Sequence, residues 1–258
     1  MKNLNRSRRN LWGIVFVLTG VVLILAMLGT SPTSTRAQGH VGPVVITPDY
    51  VAFGKTYSEW SAAFWQWSLS IPVAKHPLFD NADCSTGQSG PVWFLGPKFC
   101  IAGTPGCNYG TIARSCSVPA GKAIFFPVAS DEDSAPEEPS FGCGNGLPPL
   151  IAGTIAELRQ CAASAVFQGI TGLSAEIDGA PIPDLMEKFH EQSIVFGYTL
   201  PADNLLTAVG EGPFSAGTYF PAAEDGVWVM LAPMRPGRHV IQFSATPLYH
   251  ATYDLVVE

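Results

Sequence analysis

The sequence predicts a mainly β protein, an antiparallel β-sandwich of jelly-roll or immunoglobulin-like type with two or three packed helices. Short segments rich in β-branched and aromatic residues recur along the chain, and Gly, Pro, Asn or Asp residues bound them. They include GPVWFL, KAIFFPV, SIVFGYTL, GVWVMLA, RHVIQFSA and TYDLVVE. Helical segments do not alternate with these strands, which argues against a parallel α/β sheet and favours a sandwich.

Residues 1–37 are typical of an export signal. A basic, acid-free start precedes an apolar run from Leu11 to Leu28, and a Thr35-Arg36-Ala37 end follows. The apolar run approaches the length that spans a bilayer, so the alternative is an uncleaved membrane anchor at residues 11–29. In either case we expect residues 38–258 to form one disulfide-stapled β-rich domain that is secreted, periplasmic or at the cell surface.

The exported part is strongly acidic. All 21 acidic residues, but only nine of the 14 basic residues, follow Ala37, which gives this part a formal charge of −12. A surface of this sign repels nucleic acid and anionic lipid, so neither is an expected partner. The membrane is expected to be contacted only through an uncleaved N-terminal segment.

The six cysteines all follow the signal, and their even number predicts three disulfides in an oxidising compartment. No C-x-x-C pair is present, which argues against structural zinc. Fifteen connectivities are possible, and we favour a nested arrangement in which GPVWFL and TIARSCSV form a hairpin. The favoured pairs are Cys84–Cys116, Cys100–Cys107 and Cys143–Cys161.

The stretch TYSEWSAAFWQWSLSIP contains three of the six tryptophans. On a helix, Tyr57, Trp60, Phe64 and Trp67 fall in one narrow stripe, the pattern of a core-facing amphipathic helix. The alternative is an exposed aromatic platform that stacks against a ligand such as a sugar. We favour burial of the stripe.

Three other side chains of this helix lie outside the stripe. Trp65 falls on its flank, and Glu59 and Gln66 share the opposite side. A solvated polar face is the simpler interpretation of that side. If it is covered instead, Glu59 is a candidate catalytic carboxylate, and Gln66 and Trp65 are candidate ligand-binding residues.

Two further signals define elements later in the chain. Thr154 and Glu157 form a capping box at the start of GTIAELRQCAASAVFQG, and Gly169 ends that helix. The Asp178-Gly179 pair between apolar flanks predicts a β-hairpin.

The segment SDEDSAPEEP is the one strong concentration of charge, and we interpret it as an acidic loop after a strand. Asp131, Glu132 and Asp133 could bind Ca²⁺, although no EF-hand spacing is present, so the expected cofactor is none or calcium. Glu132 or Asp133 could instead work with Glu59 as the acid and base of a glycosidase. Lys122 and Arg114 are the nearest candidates in sequence for a basic partner.

The segments FGKTYSEWSAAFWQW, GQSGPVWFL, SCSVPAGKAIFFPV and VWVMLAPMRPGRHVIQF resemble a family of uncharacterised exported bacterial proteins. The resemblance spans about residues 50–258. It implies export and a single domain, and it implies no activity, substrate or site.

Two functions remain open. The first is a non-catalytic binding or structural protein of the envelope or the secreted fraction, with an extracellular or cell-surface ligand. The second is a secreted carboxylate-dependent hydrolase that acts on a glycan. The hydrolase requires Glu59 and a carboxylate of the acidic segment to face one pocket, whereas the binding protein does not. Serine-hydrolase and HExxH metalloprotease signatures are absent from the sequence.

Overall fold

Two β-sheets lie on either side of an aromatic core in the computed structural model, which describes residues 43–79, 83–104, 109–137 and 154–258. The first sheet comprises β1 (Val45–Ile46), β2 (Val92–Phe94), β4 (Ala123–Ser134), β7 (His190–Gln192), β8 (Phe196–Leu200) and β9 (Gly217–Leu231). The second comprises β3 (Gly110–Val118), β5 (Gly172–Ile177), β6 (Ala180–Pro181), β10 (Gly237–Thr246) and β11 (Tyr249–Val257). The predicted mainly β, sandwich-like class is confirmed.

The described residues contain four α-helices, one more than the upper number expected. They are α1 (Tyr57–Ser70), α2 (Ile155–Phe167), α3 (Leu185–Phe189) and α4 (Leu205–Val209), with one 3₁₀ turn at Val73–Lys75. Residues 40–258 form one compact unit. Within the described part of the chain, no helix combines the length and apolar character that crossing a bilayer requires. The predicted signal at 1–37 and the alternative anchor at 11–29 lie outside the described residues.

The strand pairing differs from the purely antiparallel expectation in two places. Strand β2 pairs with β4 in parallel, and β3 pairs with β11 in parallel. The predicted hairpin of β2 and β3 is therefore wrong, because the two strands belong to different sheets. Residues 95–109 between them are enough for the chain to cross from one sheet to the other.

The Cys84–Cys116 disulfide nevertheless forms as predicted, with the two Cα atoms 6.0 Å apart. It ties the turn before β2 to strand β3 of the other sheet. Cys100 and Cys161 are also disulfide-bonded, and the partners predicted for them, Cys107 and Cys143, lie outside the described residues. This chemistry indicates an oxidising compartment.

Helix α1 buries the predicted aromatic stripe. Tyr57, Trp60, Phe64 and Trp67 are all buried, as is Trp65 on the flank. A Thr56–Glu59 capping box begins the helix. The stripe therefore belongs to the core, and the aromatic-platform alternative does not describe these four side chains.

The other local predictions also match the structure. Helix α2 begins at the Thr154–Glu157 capping box. Asp178 and Gly179 connect β5 to β6 with positive φ angles of 52° and 81°, which a tight type I′ hairpin turn requires.

A β-bulge in β4 sets which side chains share a face. The register between β4 and β9 shifts between Pro127 and Ala129. Before the shift, Phe125 stacks on Trp228 of β9, with ring centroids 5.0 Å apart. After it, the even-numbered residues of β4 take over that face, because Glu132 pairs with Glu224. The bulge thus turns a carboxylate toward the face that α1 covers.

Candidate functional site

Residues 130–134 of the segment interpreted as an acidic loop are the end of a strand. Strand β4 continues to Ser134, and its last residues pair with β9. Asp131 lies directly opposite Asp225, and Glu132 lies directly opposite Glu224. Like charges at directly opposed positions destabilise a sheet, so each pair needs protons or polar partners to persist.

The predicted calcium ligands Asp131, Glu132 and Asp133 do not converge. Successive side chains of a strand point to opposite faces, so Glu132 faces away from its two neighbours. Among the residues that the structure describes, no group of three His, Cys, Asp or Glu side chains is arranged to hold a metal ion. The strand geometry does not support the calcium hypothesis at these positions.

Two of these residues belong to a set of electrostatically interacting carboxyl groups, which we name the carboxyl cluster: Asp131, Glu132, Glu137 and Glu211. Burial and the nearby Glu211 raise the pKa of Asp131 to about 7. Burial, followed by the charges of neighbouring carboxylates, raises the pKa of Glu132 and Glu137 well above the usual range. Near neutral pH the cluster therefore retains protons that ordinary carboxyl groups have lost.

Hydrogen bonds within the cluster also require a proton. The carboxyl groups of Glu137 and Glu211 bond to each other, which two ionised carboxylates cannot do. The Ser134 hydroxyl donates to Glu137 and lies 2.7 Å from the Tyr198 hydroxyl. Glu132 differs, because it is 7 % exposed and neither of its carboxyl oxygens has a hydrogen-bond partner.

The carboxyl groups of β9 are better satisfied. Trp228 Nε1 donates to Glu224 Oε2 at 3.1 Å. Asp225 is fully buried, and its two oxygens contact His190 Nε2 at 2.6 Å and Gln192 Nε2 at 2.7 Å. The uncompensated carboxyl of this region is therefore Glu132, on β4.

A cavity of about 300 Å³ adjoins the cluster where Asp131 lies. Aromatic and aliphatic side chains from α1, α2, the segment after β2 and the start of β11 line most of it. Its principal aromatic and charged members are Trp65, Lys98, Phe99, Tyr109, Asp131 and Tyr249. Cavities of this size and character are typical of small-molecule sites.

Trp65 is held in the wall of this cavity by two kinds of contact. Its Nε1 donates to the Ser130 hydroxyl at 2.9 Å, and its ring lies 6.3 Å from that of Phe99. Trp65 is also part of the main hydrophobic core, where its ring contacts Phe64 edge to face. The structure therefore places this predicted ligand-binding residue in a cavity wall.

The other predicted site residues have different surroundings. Glu59 binds the backbone N–H and hydroxyl of Thr56 at the solvent-exposed start of α1, and these bonds lower the pKa of its carboxyl. Gln66 is exposed and donates to the carbonyl of Gly197 on β8 at 2.8 Å. Glu59 thus caps α1 in a partly exposed position, whereas Glu132 is buried on β4.

The basic residues proposed as partners are engaged elsewhere. Arg114 donates to the carbonyls of Leu78 and Gly96 and to the Tyr253 hydroxyl. Lys122 donates to the carbonyl of Gly90. Neither of these bonds reaches the carboxyl cluster.

Sequence reasoning missed Glu211 and Tyr109. Glu211 follows α4, far along the chain from β4, and Tyr109 precedes β3. Each is an isolated polar or aromatic residue in a loop, with no local pattern that marks it. Only the folding of distant loops brings them close enough to interact with Asp131.

No protein-family model and no curated protein matches the chain. Two solved structures are similar to it. One is described as PbICP-C in complex with falcipain-2, at 10 % identity and a TM-score of 0.22, covering 66 % of this chain and all of that chain. The other is the cysteine protease inhibitor EhICP2 from Entamoeba histolytica, at 14 % identity and a TM-score of 0.19, covering 58 % of this chain and 95 % of that chain. At these TM-scores the likeness carries no argument about fold or function.

Proposed function

We propose that the chain is an exported, non-catalytic binding protein of the envelope or the secreted fraction, and that its ligand occupies the cavity beside Asp131. The observation that carries the proposal is a carboxyl group placed among aromatic rings in a cavity of ligand size. The export signal at 1–37, the resemblance to exported bacterial proteins and the jelly-roll or immunoglobulin-like type stay predictions within it.

The lining of the cavity supports binding in two ways. Its walls come from α1, α2 and both sheets, so its shape is fixed by the packing of the whole domain. Apolar walls supply contact area, and a small number of polar groups fix the orientation of a ligand.

A second candidate is the glycan hydrolase, and the raised pKa of Asp131 favours it. Glycosidases use one protonated carboxyl as a general acid and a second carboxylate nearby. Asp131 and Glu211 interact electrostatically and could divide these roles. The pair replaces the one predicted from the sequence, Glu59 with Glu132 or Asp133.

Ligand screening of cavity variants tests the proposal. We expect members of a panel of sugars, polyols and amines to raise the melting temperature of the purified protein. Asp131→Asn is expected to abolish the increase, whereas Asp254→Asn, on the exposed face of β11, is expected to retain it. Ligands that stabilise the parent and the Asp131→Asn variant equally would exclude this cavity as the site.

The same variants separate the two functions. A hydrolase releases reducing sugar from a glycan substrate, and Asp131→Asn would remove that activity with the fold intact. A binding protein releases none, and the substitution affects affinity alone.

A further inference from the structure

The cavity beside Asp131 has few groups that can hydrogen-bond a ligand. The Ser130 hydroxyl already accepts from Trp65, and the Tyr249 hydroxyl donates to the carbonyl of Val128. A sugar presents hydroxyl groups around its whole ring and needs several partners to replace the water that it loses. The cavity instead offers largely apolar walls, the Asp131 carboxyl group and the polar side chains of Lys98 and Tyr109, which suits a compact ligand with few polar groups.

The aromatic rings give the walls a further property. Trp65, Phe99, Tyr109 and Tyr249 line the cavity together with Asp131. The faces of aromatic rings carry partial negative charge and attract organic cations, most strongly where water is excluded. Aromatic walls and a carboxyl group therefore favour the same sign of charge in a ligand.

Further carboxyl groups lie near Asp131, and a bound cation would favour their ionised forms. Glu211 and Glu132 lie close enough to Asp131 to interact with it electrostatically. Glu132 is 93 % buried with both carboxyl oxygens unpartnered, so its negative charge, once formed, is not compensated by a hydrogen bond. Among the cavity-lining residues that the structure describes, Lys98 is the basic side chain and Asp131 is the acidic one.

From these three features we infer that the cavity beside Asp131 is a binding site for a small organic cation, a substituted ammonium group held between the Asp131 carboxylate and the surrounding aromatic rings. The inference rests on the proposed function and narrows its ligand class. The −12 charge of the exported part attracts such a ligand to the protein surface.

Calorimetric titration with pairs of probes that match in shape and differ in charge tests the ligand class. Choline is compared with dimethylbutanol, in which carbon replaces the quaternary nitrogen, and butylamine is compared with butanol. Because a cation gains both a charged hydrogen bond or ion pair and cation–π contacts, we expect at least one cationic probe to bind about tenfold or more tightly than its neutral counterpart. Equal affinities within both pairs would overturn the inference.

Two variants locate the effect. Asp131→Asn is expected to remove the preference for the cationic probe, and the matched Asp254→Asn variant is expected to keep it. Tyr109→Leu alters a cavity residue that is 47 % exposed, and it is expected to weaken binding of the cation severalfold while changing binding of the neutral probe less. A cation preference that survives both cavity substitutions would place the site elsewhere and end the inference.

The outcomes also distinguish the organic-cation inference from the proposed binding function on which it rests. A neutral sugar or polyol whose binding requires Asp131 would retain the proposed binding function and exclude the organic cation. If neither cationic nor neutral probes bind, and no ligand of the screening panel does, both proposals fail.

Discussion

Strands β4 and β9 pair along most of their length, yet their two ends differ in chemistry. At one end Phe125 stacks on Trp228, and α1 covers both rings. At the other end Glu132 lies opposite Glu224, and Asp131 lies opposite Asp225. The aromatic end contributes stability through burial, whereas the carboxyl end places charged groups where burial is costly. Buried ionisable groups that lower stability at one end of an otherwise stable pair of strands are typical of functional sites.

The largest expected effect comes from emptying the aromatic end. Trp60→Ala and Trp67→Ala should each lower the free energy of unfolding by about 3–5 kcal/mol, because a buried aromatic site is left as a cavity. Denaturant midpoints measure this loss. Tyr50→Ala is the control, since Tyr50 is 66 % exposed and its removal should change stability by no more than about 0.5 kcal/mol.

Loss of ligand binding without loss of stability in the same two variants would contradict this expectation. Should Trp60→Ala and Trp67→Ala unfold like the parent but lose a bound ligand, the rings would form a recognition platform. The contrast between an aromatic end that stabilises the fold and a carboxyl end that binds the ligand would then be wrong.

The two ends also differ in how far the sequence predicts them. The helical spacing of Tyr57, Trp60, Phe64 and Trp67 is local, so it predicts which face of α1 is buried. The two capping boxes and the Asp178-Gly179 turn are local in the same way. Each of these predictions is confirmed because a few adjacent residues determine the geometry.

The carboxyl end depends on relationships that no local pattern contains. The bulge after Pro127 changes which residues of β4 share a face, and an acidic run that resembles a solvated loop becomes a paired strand. Glu211 reaches the cluster from the loop after α4. The predicted β2–β3 hairpin fails for the same reason. Strand β2 pairs in parallel with β4, and β3 pairs in parallel with β11, and no local pattern indicates either pairing.

A second, smaller effect should appear in the pH dependence of stability. Burial raises the pKa of Asp131 to about 7 and raises the pKa values of Glu132 and Glu137 well above their ordinary values. Between their unfolded pKa values near 4 and these raised values, the folded protein binds more protons than the unfolded chain. The free energy of unfolding should therefore fall as the pH rises from about 4 through 7.

Glu132→Gln sharpens this expectation, because the amide copies the shape of the protonated carboxyl and cannot ionise. The variant should match the parent near pH 4 and exceed its stability at pH 8 by on the order of 1–3 kcal/mol, the cost of a buried unsatisfied group. Denaturant midpoints across this pH range measure the difference. Asp254→Asn serves as the exposed control, and a parent that gains stability as the pH rises to 8 would contradict the assignment.

The smallest expected effect concerns Glu59, whose carboxyl group behaves in the opposite way. The Thr56 backbone N–H and hydroxyl lower the pKa of the Glu59 carboxyl, so the folded chain binds fewer protons than the unfolded chain near that pKa. The contribution of the Glu59 carboxylate to the free energy of unfolding is present above the ordinary glutamate pKa and is lost as the pH falls. Glu59→Gln retains a side chain able to cap α1 but removes the charge. The decrease in the free energy of unfolding at acidic pH should therefore be slightly smaller in this variant.

Glu157 provides the matched comparison for Glu59, because it forms the same capping box with Thr154 at the start of α2 and its pKa is lowered by the same kinds of bond. Glu59→Gln and Glu157→Gln should therefore change the denaturant midpoint in the same direction and by similar small amounts. Neither should alter ligand binding in the cavity beside Asp131. The contrary outcome would be that Glu59→Gln abolishes binding or turnover while Glu157→Gln does not. In that case Glu59 would belong to the functional site, and its role would not be limited to capping α1.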